Sequence, residues 1–242
     1  MKPALLEMAP GPFSDRYQRT TNSHIPIVKS SLFSLYEEFL TLDIKCHFSP
    51  NMDNIYCSPD ATIILESVRE ILPPDKIKTF LLTTQHYEEE PHYARNTGFF
   101  VSQLLSLSHG AGYDSFSLDL SSLKPIHNLC YNLKGRKNHN LRVLIKGLVG
   151  DCCAINATKG TYYIESAQGH CGYFSKRSTL YIGQANNYCG LDSNQSRFVI
   201  NRLESPSCLS TYVNKSTYFY RDTKGIAHHV DKHEHMGIPS NM

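Results

Sequence analysis

Cysteine and histidine offer the most chemistry in this chain, at 8 and 12 copies. Four cysteines recur at near-constant spacing, Cys153, Cys171, Cys189 and Cys208, with steps of 18, 18 and 19 residues. Thiols in such a series suggest zinc ligation or redox exchange. A file of single thiols does not suit zinc, which gathers its ligands into a tetrahedron with Zn–S near about 2.3 Å. No CxxC pair is present, and the adjacent Cys152 and Cys153 would face opposite sides of a strand. The four are therefore expected to be small apolar core fillers. His170 beside Cys171 is not a nucleophile–base pair by adjacency, because an inward thiol sends the neighbouring imidazole outward.

Other candidates lie nearer the ends of the chain. His229 and His233 are four residues apart and would share a helix face, a spacing that suits a divalent-metal pair. With no partner carboxylate at fixed spacing, a His-rich tail over residues 223–242 that binds metal adventitiously is the expectation. Lys134, Arg136 and Lys137, joined by Arg142, form a basic patch able to meet phosphate. No RNA-binding signature accompanies it, and solvent exposure alone explains it. His86, Glu88, Glu89, Glu90 and His92 read as a solvated linker between helices. GxSxG, GxxxxGK[ST], HExxH and GxGxxG are all absent, so no catalytic residue and no cofactor is expected.

The elements that must position these residues come from a repeat. Rows open at Arg142, Thr161, Thr179 and Arg197, with a partial row from Thr217, so the starts step by 19, 18, 18 and 20 residues. Each row holds a β-rich segment, a run of small residues, a second short segment around its cysteine, and a polar turn. A unit this short cannot bury its own apolar face and must stack on copies of itself. The expected fold is α+β, a right-handed parallel β-solenoid of about 4–6 coils of 18–20 residues over 114–222, preceded by a helical N-terminal cap. An irregular earlier coil around Phe116–Leu120 and Cys130 is expected ahead of the first full row.

Strand alternation assigns Val143/Ile145, Tyr162/Ile164, Leu180/Ile182, Phe198/Ile200 and Tyr218/Tyr220 to the interior. The alternate column, Leu144, Tyr163, Tyr181, Val199 and Phe219, then points outward although it is apolar throughout. An exposed apolar stripe calls for a cover. The N-terminal segment, the C-terminal tail, a protein partner or self-association would each supply one.

The stretches Gly150-Asp151-Cys152-Cys153-Ala154, Gly169-His170-Cys171-Gly172 and Tyr188-Cys189-Gly190, each followed by a strand at Thr161, Thr179 or Arg197, carry a resemblance. Over roughly residues 115–222 the chain resembles uncharacterised β-solenoid proteins of archaea. It is also distantly similar to the stacked-glycine C-terminal domain of glutamate synthase. The resemblance implies a solenoid with a structural role beside other domains. It carries over no catalytic residue.

Residues 1–28 lack periodicity and are expected to be flexible, and 29–113 to form the helical cap. Ser30–Leu42 can form an amphipathic helix with Leu32, Leu35, Phe39 and Leu40 on one face. Ser58-Pro59-Asp60 reads as a helix start, with its helix running to about Leu72. Further helices are expected over Asp75–Gln85 and from about Pro91 to His109, the last stopped by Gly110 and Gly112. A cap would seal the open edge and core of the first coil. Charge suits such docking: residues 1–114 carry 9 basic and 14 acidic side chains, and residues 115–242 carry 15 and 8.

Apolar residues at 40 % and a net charge of +2 exclude a wholly disordered chain and a polycation. No run of about 18 apolar residues is present, so no membrane span is expected. No secretory h-region is seen, so the cytoplasm, with reduced thiols, is the expected compartment. The leading expectation for function is a non-catalytic binding or scaffold module using the outer solenoid face. A nucleic-acid-associated protein using the basic half, and an enzyme with a site between cap and solenoid, are the alternatives.

Overall fold

The computed structural model describes residues 31–44, 58–136, 140–209 and 213–232. Among these described residues four helices come first: α1 (Ser31–Leu40), α2 (Pro59–Ser67), α3 (Pro74–Thr83) and α4 (Tyr93–Gly110). Nine strands follow: β1 (Ser115–Asp119), β2 (Leu141–Val149), β3 (Gly160–Ala167), β4 (Thr179–Ala185), β5 (Ser193–Asn194), β6 (Arg197–Leu203), β7 (Val213–Asn214), β8 (Ser216–Arg221) and β9 (Ala227–Lys232). The main sheet runs β1-β2-β3-β4-β6-β8-β9, and every pairing is parallel except the last. This is a parallel β-solenoid with a helical N-terminal region.

The repeat period is the stacking register. Arg142 pairs with Thr161, Thr161 with Thr179, Thr179 with Arg197, and Arg197 with Thr217. The ten side chains assigned to the interior are all buried. Departures from 18 residues have local causes. The 19-residue step contains a bulge between Ile145 and Leu148, where the Gly147 amide donates to Glu165 Oε2 at 2.6 Å. The 20-residue step contains a 3-10 turn over Pro206–Cys208.

That turn corrects the cysteine series. Cys153 bridges Cys171, Cys171 bridges Cys189, but Cys189 bridges Leu209. Leu209 is buried in the fourth place and Cys208 is only half-buried, so three cysteines and a leucine fill the file. The adjacent thiols do diverge: Cys153 joins the main core, while Cys152 packs in a separate small cluster with Ile155 and Tyr173.

Bends between the segments use left-handed backbone in columns. Ala154, Gly172 and Gly190 form one, Asn156, Phe174 and Asp192 a second, and Lys159, Arg177, Gln195 and Lys215 a third. Glycine adopts this region freely, whereas an L side chain resists it by roughly 1–2 kcal/mol. Stacking each bend on the next, with hydrogen bonds such as Phe174 N to Leu191 O at 2.8 Å, holds the non-glycine members there.

The helices form one continuous core with the solenoid. In α1 the buried face is Leu32, Tyr36, Phe39 and Leu40; Leu35 is half-buried, and Tyr36 takes the centre through a 2.7 Å bond to Thr97. Ser58 caps α2 as expected, but the helix stops at Ser67 rather than near Leu72. Val68 turns extended and buries its side chain fully, which draws the chain out of the helix. In α4, Gly98 presses directly on the His127 carbonyl of the first coil. There the His127 amide donates to Ala94 O at 2.9 Å, and the Ser102 hydroxyl donates to Asn128 O at 3.2 Å. The acids of the linker between helices bind Lys124: its amide donates to Glu88 Oε1 and its ammonium to Glu89 Oε1, both at 2.7 Å.

The far end departs from the expected tail. Residues Ala227–Lys232 return as β9, antiparallel to β8, after a turn in which Asp222 accepts from Ile226 at 2.8 Å and pairs with His228 at 3.1 Å.

Candidate functional site

On the sheet, Leu144, Tyr163, Tyr181, Val199 and Phe219 stand in register and half-exposed, alternating with the buried residues. The Tyr163 and Tyr181 rings stack at 4.9 Å and 6°. Phe219 stacks on His229 at 4.4 Å and carries the Arg197 guanidinium 4.8 Å from its centroid. Residues 227–232 therefore do not cover the stripe: β9 lengthens the sheet, and His229 adds one more rung, while residues 233–242 lie outside the described residues. Residues 1–28, the other expected cover, lie outside the described residues.

The expected basic patch is divided. Arg136 donates to the Gly110 carbonyl and so closes the C-terminal end of α4. Lys134 sits exposed on a different column, bridged to Thr158, and Arg142 is exposed at the start of the sheet face. Lys137 lies outside the described residues. Further cations extend the edge beside the sheet: Lys159, Arg177 and Lys215 on the third bend column, and Arg197 stacked in register with Arg142 through Thr161 and Thr179. Arg197 Nε is buried without a hydrogen-bond partner.

Of the candidate metal pair, His229 stands on a strand rather than on a helix. His233 lies outside the described residues.

A cluster that repeat reading missed lies just past the ends of β2 and β3. Because Cys153 bridges Cys171, the residues just before them, Cys152 and His170, are neighbours in adjacent coils. Asp151 completes the group: one ligand atom each from Asp151, Cys152 and His170 lie within 4.8 Å of one another. Asp151 Oδ1 accepts from the His170 amide at 2.7 Å, the Cys152 amide at 2.9 Å and His170 Nδ1 at 2.6 Å. Burial pushes the Asp151 carboxyl up, but the His170 amide, charge and ring bond and the Cys152 amide outweigh it and hold it below the ordinary value. The Asp151 amide donates to His127 Nδ1 at 2.6 Å, and burial drives the His127 ring toward its neutral form. Tyr173 and Tyr188 flank the His170 ring at 4.8 and 5.9 Å. Gly169 makes room for this geometry, since a Cβ there would fall 2.5 Å from Asp151 Oδ1. Placing Gly150-Asp151-Cys152-Cys153 over Gly169-His170-Cys171 in the repeat was the available signal.

No protein-family model, curated protein or solved structure matches this chain.

Proposed function

We propose that the chain is a non-catalytic binding module whose contact surface is the outer face of the main sheet. The observation that carries this is the half-exposed column Leu144, Tyr163, Tyr181, Val199 and Phe219, bordered by cations on one side. Lys134, Arg142, Lys159, Arg177, Arg197 and Lys215 make no ion pair among the described residues. Four carboxylates of the solenoid are paired elsewhere: Asp119 with Lys146, Asp151 with His170, Glu204 with Arg202, Asp222 with His228. The partner that fits is a protein surface with an apolar centre and a carboxylate border. An apolar core inside a charged rim is the usual anatomy of such contacts. A scaffold role beside other domains, implied by the likeness to the stacked-glycine domain, is the same reading.

Capture from cell lysate with immobilised chain tests it in three forms: unaltered, Tyr163→Ser/Tyr181→Ser, and Arg142→Ser/Arg197→Ser. All three should melt cooperatively. A defined set of proteins held by the unaltered chain and lost from both variants supports the face. Equal capture by all three overturns it. Capture abolished by nuclease, with a steep salt dependence, would instead favour nucleic acid on the basic edge.

A further inference from the structure

We infer that Asp151, Cys152 and His170 form a binding site for one borderline-soft divalent cation of the zinc type. A thiol, an imidazole and a carboxylate are the donor set that zinc takes, and three protein donors leave a fourth position to water. The three donor atoms already lie within 4.8 Å of one another, so small side-chain rotations bring them onto one ion.

Three further observations point the same way. First, the fold does not require these residues. At the place of Asp151 the later coils carry Gly169, Asn187 and Ser207, and at the place of Cys152 they carry His170, Tyr188 and Cys208. Both columns change residue type in every coil, so stacking does not dictate the three touching, metal-competent side chains found here. Second, the carboxylate is held in advance. Two backbone amides, 2.7 and 2.9 Å from Oδ1, fix Asp151 whether or not an ion is present. Third, the donors are open on one side only. The Asp151 and His170 side chains are 44 % and 31 % exposed, whereas Cys152 is nearly buried in an apolar cluster with Ile155 and Tyr173. An ion can enter from solvent and meet the thiol at the floor of the site.

His170 Nδ1 donates to Asp151 in the ion-free state, since a carboxylate can only accept. On loading, the ion replaces that proton, which moves to Nε2 of the same ring as the pair opens. The Cys152 thiol proton passes to solvent. Loading thus releases the thiol proton, and affinity rises with pH.

Cobalt(II) titration of the full chain tests the site. A thiolate-to-cobalt charge-transfer band saturating at one ion per chain, and bleached by zinc, is the expected result. The band should vanish in Cys152→Ser, persist in Cys208→Ser, and need at least tenfold more cobalt in His170→Ala. The histidines at 228, 229, 233 and 235 bind cobalt without thiolate and cannot produce it. No band, or one that survives Cys152→Ser, overturns the proposal and leaves an adventitious ion only. If Cys152→Ser fails to fold, alkylation of the unaltered chain decides: zinc should slow modification of Cys152 at least tenfold relative to Cys208, and equal rates would refute the site.

Discussion

Ile182 and Tyr181 are consecutive residues of one strand with opposite surroundings. Ile182 is 2 % exposed and lies in register between Ile164 and Ile200. Tyr181 is half-exposed on the outer face. Ile182→Ala removes three carbon groups from a close-packed column. At about 0.8 kcal/mol each plus the cavity left behind, the expected loss is about 2–5 kcal/mol. Tyr181→Ala forfeits part of its burial and the stack on Tyr163, together about 1–2 kcal/mol. Ile182→Asp buries an unpaired charge, costing roughly 3–5 kcal/mol or more against a domain stability of about 5–15 kcal/mol. Urea unfolding reads all three, with the slope m as a check that the same surface is exposed. A larger loss for Tyr181→Ala than for Ile182→Ala would refute the interior assignment, as would an unchanged midpoint for Ile182→Asp.

Three other perturbations follow from the packing. Burial, with Glu88 adding to it and the Thr84 bond opposing it, pushes the Tyr93 phenol up to about 12. The unfolded chain then ionises first, so this stability is intact below pH 10 and declines by about 2–3 kcal/mol as pH rises to 12; Tyr93→Phe should flatten the decline of urea midpoints between pH 10 and 12. Lys159 is exposed at φ +53°, so Lys159→Gly should stabilise by about 1 kcal/mol in thermal melts, while Gly190→Ala, at φ +75° and against the Tyr218 hydroxyl, should destabilise. Gly98→Ala places a methyl on the His127 carbonyl and should uncouple α4 from the first coil, seen as faster amide exchange at His127; unaltered exchange would contradict the close contact.

The stacking register was legible because a short unit that must stack leaves its period in every column. Thr161, Thr179 and Arg197 therefore open rows and also pair with one another. The bends were less legible. Phe174 and Arg177 have no intrinsic taste for left-handed backbone, and only the coils above and below hold them in it. Cys208 misled because an extra turn residue put Leu209 in the file, a slip of one position that side-chain type does not reveal. Val68 ended α2 early through burial, a tertiary effect on a residue compatible with helix. His229 was placed by its partner strand rather than by its own neighbours. The Asp151–His170 pair escaped because its members sit 19 residues apart and on the outer side, where alternation predicts only exposure.

The three bend columns make length a quantised property of this molecule. Excising residues 179–196 would join Ser178 to Arg197 and set Thr161 against Arg197, with bends at Arg177 and Lys215 still in line. Growth or shrinkage by whole 18-residue units is thus available to descendants of this gene at the lower end. The upper end is frozen, because the contact of Gly98 with His127 and the partnership of Asp151 with His170 tie the first coils to one another and to the helices.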